Sequence, residues 1–78
     1  MALHMAIRNM KYTIIIEKTG NGYSAYAPDL LGCIAATETR EETSQLMHEA
    51  IELHLEDMRA TGQTIPQPTT FSELVEVA

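Results

Sequence analysis

The chain has 78 residues, a net charge of −6 and an isoelectric point near 4.8, enough for one small domain. The acidic balance disfavours direct binding to nucleic acid, which calls for a basic face, and no run approaches the roughly 18 apolar residues of a membrane span. A single cysteine, Cys33, excludes an internal disulfide and suits a reducing, cytoplasmic setting. So small a core needs support, and self-association into a homodimer or tetramer is the expected form of it.

Residues 1–9 (MALHMAIRN) hold too short an apolar run for a signal peptide and read as a flexible leader. A single domain is expected over 10–78. Residues 11–18 (KYTIIIEK) read as a strand, being β-branched, aromatic and short. Tyr12, Ile14 and Ile16 share one face and Thr13, Ile15 and Glu17 the other. Apolar groups on both faces predict a central strand. Thr19-Gly20-Asn21-Gly22 reads as a hairpin turn using positive φ angles. Residues 23–27 (YSAYA) form the return strand, with Tyr23, Ala25 and Ala27 on one face and Ser24 and Tyr26 on the other. The small residues leave room for a packed helix.

Pro28 ends that strand, and a turn through Asp29 and Gly32 leads to a short third strand over 33–37 (CIAAT). Thr39-Arg40-Glu41-Glu42 is a capping box. It opens a helix from about Arg40 to about Ala60, with Gly62 as its stop. Leu46, Met47, Ala50, Ile51, His54, Leu55 and Met58 fall in one broad apolar arc, opposite Glu42, Gln45, Glu49, Glu52 and Glu56. The arc is wider than one sheet face needs, so an oligomer interface is expected around Leu53, His54, Leu55 and Met58. Pro66 and Pro68 make residues 63–70 an extended crossing, and residues 71–77 (FSELVEV) read as a last strand. The order is βββαβ, an α+β layer of one sheet and one helix.

Chemistry is sparse along this order. Cys33 as a nucleophile would need a base beside it; the plainer reading is a small buried residue. His48 and His54 stand about 120° apart on the helix and cannot chelate one ion together. His48 with Glu52 makes half a metal site at most, and more simply an exposed pair. His54 reads as a core or interface histidine, with a pH-sensitive contact as the alternative. Asp29 reads as a turn cap ahead of a partner contact, since metal-assisted chemistry needs several converging carboxylates. The acidic helix face is a solvated stripe or a landing surface for a basic protein. No catalytic set, metal site or cofactor site is expected.

The ordered motifs resemble the HicB-like antitoxin family: the strand over 12–17, Gly20 to Gly22, the aromatic strand, Pro28-Asp29-Leu30-Leu31-Gly32-Cys33, Thr39 to Thr43, Gly62 and Pro66-Gln67-Pro68. Leu31 stands where that family usually has a second Pro, and Thr43 where it usually has Ala. The resemblance implies a partial ribonuclease-H-like fold, an antiparallel three-stranded sheet with the last strand beside the first and the long helix on one face. It covers the antitoxin domain and not the C-terminal DNA-binding domain that many members carry. It implies a partner, a small basic HicA-like toxin that cleaves mRNA, neutralised by protein–protein contact and not by enzymatic action. The expected contact surface is Tyr26, Asp29, Leu30, Leu31 and Gly32, with Leu30 and Leu31 exposed. The alternative is an orphan, stand-alone oligomeric binding module with no toxin partner; a small enzyme using Cys33 or Asp29 is the third reading.

Overall fold

The computed structural model describes residues 10–78; the expected leader over residues 1–9 lies outside them. Three antiparallel strands, β1 (Ile15–Lys18), β2 (Tyr23–Tyr26) and β3 (Ile34–Thr37), form a meander in the order β1-β2-β3, followed by α1 (Arg40–Ala60). β2 is therefore the central strand, and β1, expected at the centre from its two apolar faces, is an edge. Ile16, Ala25 and Ala35 lie opposite one another across the sheet, as do Ile15, Tyr26 and Ile34 on the other face. The small alanines of the first row let the helix approach closely.

Leu30, Cys33, Ala25, Ala27, Ala35, Met47, Leu55 and Met58 form the core, with Tyr12, Ile14, Ile16, Ile51 and Ile65 packed against it. Thr43, Met47, Leu55 and Met58 are the buried side of α1, at the three- and four-residue spacing of one helical stripe. Thr43 is fully buried yet satisfied, with its hydroxyl 2.6 Å from that of Thr37 and 2.8 Å from the Thr39 carbonyl to which it donates.

The helix ends are built as their sequence requires. The Thr39 hydroxyl accepts from the Glu42 N–H at 3.1 Å and donates to the Glu42 carboxylate at 3.0 Å. Glu41 and Glu42 sit at the positive end of the helix dipole and Arg59 at the negative end. At the C-terminus the N–H of Gly62 donates to the Arg59 carbonyl and that of Gln63 to the Met58 carbonyl, a Schellman closure. Gly62 takes the left-handed φ of +76° this needs.

The hairpin turn departs from expectation. Gly20 and Gly22 do not take positive φ; a four-residue loop, closed by the Thr19 N–H to the Gly22 carbonyl at 2.8 Å, joins β1 to β2. Gly22 is required for another reason: a Cβ there would overlap the carbonyl oxygen of Thr37.

The last expected strand is also absent as a paired element. Residues 63–78 follow the helix without strand pairing, so among the described residues no fourth strand lies beside β1. Residues 66–70 instead run past the start of the first strand segment through side-chain bonds. The Tyr12 hydroxyl donates to the Pro66 carbonyl, and the Thr13 hydroxyl to the Thr70 carbonyl at 2.8 Å. These side-chain contacts, in place of a backbone ladder, go with the shortening of the first strand from 11–18 to Ile15–Lys18.

Candidate functional site: an open sheet face and the turn beside it

The helix covers one face of the sheet, and among the described residues no element covers the other. Across that open face, Ile15 pairs with Tyr26 and Tyr26 with Ile34, which sets three large side chains in a row over all three strands. Tyr26 and Ile34 are exposed. The loop between them carries Leu31 at its tip, 91% exposed. Large exposed apolar side chains thus stand on this face and on the adjoining turn of an acidic domain.

The turn itself is held from within. The Leu30 N–H donates to the Ala27 carbonyl at 3.1 Å and the Cys33 N–H to the Leu30 carbonyl at 3.2 Å, and Gly32 takes a φ of +90°. The turn drives Leu30 inward to 1% exposure, which corrects the expectation that Leu30 and Leu31 are both exposed. Leu30 is a core residue; Leu31 alone faces out.

Asp29 does not simply cap its own turn. Its carboxylate accepts from the backbone N–H groups of Thr69 and Thr70, both at 3.0 Å, and from their hydroxyls at 3.2 and 2.8 Å. These bonds, led by the Thr70 hydroxyl and N–H, hold the Asp29 carboxyl below its ordinary value. Asp29 is thus the clamp that fixes the crossing against the turn.

A second shallow groove runs along the free edge of β3, where Gly32 and Ile34 meet Leu53 and His54 of α1. It joins residues expected at two separate surfaces, Gly32 at the partner contact and Leu53 and His54 at the oligomer interface. Leu53 is exposed and His54 half-buried, whereas Leu55 and Met58 are buried in the core, a correction to their expected place at an interface.

The chemistry-bearing residues behave as packing and surface groups. Cys33 is buried, and burial pushes its thiol above the ordinary value, the opposite of an activated nucleophile. His48 Nε2 lies 3.4 Å from Glu52 as an exposed i,i+4 pair. Among the described residues no group of three His, Cys, Asp or Glu side chains is placed to hold a metal, and no helix is long and apolar enough to cross a membrane.

Sequence reasoning missed Ile15 and Ile34 as site residues, and Thr69 and Thr70 as clamp partners. The first pair was legible once a four-residue loop fixes the register, since Ile15 then falls opposite Tyr26. No local signal links Asp29 to threonines forty residues away.

Residues 12–78 match the HicB_like antitoxin of bacterial toxin-antitoxin system family, and the chain belongs to that family. It is 42% identical over 57 residues to a UPF0150 protein of Synechocystis, covering 72% of each chain. It is 43% identical over 51 residues to a UPF0150 protein of Helicobacter pylori, covering 65% of this chain and 71% of that one. An uncharacterized 14.9 kDa protein of Haemophilus phage HP1 is 33% identical over 66 residues; the match spans 85% of this chain but half of the phage protein. Among solved structures, a chain of a HicA3 and HicB3 toxin-antitoxin complex superposes with a TM-score of 0.65 at 35% identity, covering 77% of this chain and 70% of that chain.

Proposed function

We propose that this protein is an antitoxin that neutralises a small basic HicA-type mRNA-cleaving toxin by covering it, through contact and without catalysis of its own. The observation that carries this reading is the uncovered row of Ile15, Tyr26 and Ile34 on the sheet face, with Leu31 at the adjoining tip. Family membership and the likeness to a chain of a toxin–antitoxin complex support it. The net charge of −6 supports a basic partner, because complementary fields steer association. The reading places the protein in the cytoplasm as a self-associating domain, with a partial ribonuclease-H-like layout completed by residues 71–77 as a strand at the β1 edge.

The test is co-expression with the small basic product of the adjacent gene, followed by affinity capture and an mRNA-cleavage assay. A stable complex that silences cleavage is expected. Tyr26→Ala and Ile34→Asp should each weaken it about 30-fold, the ~2 kcal/mol of an interface hot spot. Cleavage that continues unchanged in the mixture, or a complex indifferent to both substitutions, rejects the reading.

A further inference from the structure

Past the Asp29 clamp the chain leaves its own domain. Phe71, Leu74, Val75 and Val77 are 76 to 101% exposed. Residues 71–78 make no backbone or side-chain hydrogen bond within the described residues. Four of residues 71–77 are apolar and the composition is strand-forming; with its N–H and C=O groups unpaired among the described residues, the segment is a template for pairing with another chain.

A place that fits it exists on every copy. Among the described residues β1 is hydrogen-bonded only to β2, which leaves its outer edge without a strand partner there. The side-chain bonds to the crossing occupy Tyr12 and Thr13 and stop there. The helix lies mainly over β2 and β3 and touches β1 least, which leaves Ile14 and Ile16 half-covered. Those two isoleucines line a groove with Lys18, Tyr23 and Arg40. Ile14 and Ile16 give the groove its apolar part and Lys18 and Arg40 its positive charge, and the arm carries Leu74 and Val75 between Glu73 and Glu76 in sequence. Seven residues at ~3.3 Å each span about 23 Å, enough to run the length of the β1 edge.

We infer that residues 71–77 form a strand on the β1 edge of a second copy of this chain, and that the second copy returns its own arm in the same way. Reciprocal exchange closes the pair with two-fold symmetry. Glu73, on the same face of the arm as Val75, then meets Lys18 and Arg40, while Val75 covers Ile14 and Ile16. The fourth strand of the sheet is thus supplied in trans. The inference rests on the self-association part of the proposed function and is independent of toxin binding.

The experiment uses the full chain without any partner. Light scattering of the wild-type protein should give twice the 8.7 kDa chain mass, or a larger even multiple. Leu74→Asp with Val75→Asp, at exposed positions, should halve the measured mass of the pair and leave the circular dichroism of the helix unchanged. A Leu74→Cys, Cys33→Ser variant labelled with a benzophenone maleimide should cross-link to residues 14–18 in a product of twice the chain mass. Three results overturn the inference: a monomer at all concentrations, a dimer unaffected by the two aspartates, or a cross-link to residues 14–18 at single-chain mass, which means that the arm folds back on its own sheet. A chain that dimerises through its arm but ignores the toxin keeps this inference and loses the proposed function.

Discussion

The Asp29 carboxylate takes both the N–H and the hydroxyl of Thr70, at 3.0 and 2.8 Å, across 41 residues of chain. With the matching pair from Thr69, one side chain pins the crossing to the turn that leads into β3. The clamp is charge-assisted, so it responds to pH. A carboxyl held below its ordinary value of 3.8 contributes stability that is present above that value and is lost as pH falls through the lowered folded-state value. Acid titration of the wild type against Asp29→Asn, followed by hydrogen exchange at the Thr69 and Thr70 amides, should show protection in the wild type near neutrality. The two proteins should converge once the carboxylate is protonated. Equal protection in both at neutral pH contradicts the clamp.

Leu30 and Leu31 are neighbours in sequence with opposite fates, one in the core and one in solvent. Leu30→Ala should cost about 2–5 kcal/mol, the loss of a fully buried leucine with its cavity, which is a large part of the stability of any small domain. Leu31→Ala should stay within about 0.5 kcal/mol. Urea unfolding of the two variants side by side makes the comparison.

The two glycines of the hairpin turn should separate in the same way. Gly22→Ala puts a Cβ into the Thr37 carbonyl, a backbone atom that cannot step aside, and about 1–3 kcal/mol of overpacking is expected. Gly20→Ala meets open space and should be neutral or slightly stabilising through the unfolded chain. Thermal midpoints of both variants, compared with the parent, decide it.

Cys33 is buried, and its raised thiol value keeps it protonated at neutral pH. Alkylation by iodoacetamide should be slow in the folded protein and should rise steeply at the urea concentration where the domain unfolds. Rapid labelling under native conditions would show that the turn opens locally.

Much of this architecture is legible in the residues. The capping box, the Gly62 stop and the apolar arc define the helix as Arg40 to Ala60, because caps act through neighbours three residues away. The alternation of Ala25 and Ala27 with Tyr26 gives the covered and open faces of β2. What was not legible depends on distance. The apolar faces of Ile14, Ile15 and Ile16 suggest a central strand, yet β1 is an edge, because burial on two faces says nothing of hydrogen bonds at the sides. Residues 71–77 read as a last strand, but a strand exists only with a neighbour, and among the described residues none pairs with them. Asp29, with Pro before it and Gly three residues after it, carries every local mark of a self-contained turn; its bonds to Thr69 and Thr70 are set by the fold as a whole.

The clamp has a consequence during synthesis. Asp29 leaves the ribosome 40 residues ahead of Thr69, an interval of roughly 2–8 s at ordinary translation rates of ~5–20 residues per second. Throughout that interval the meander and the helix can assemble from nearby contacts, while the carboxylate faces water and the flank at Tyr12 and Thr13 stays bare. The nascent chain therefore passes through a stage in which its sheet is formed but its crossing is not, and any molecule that engages that flank at this stage meets a different protein from the finished one.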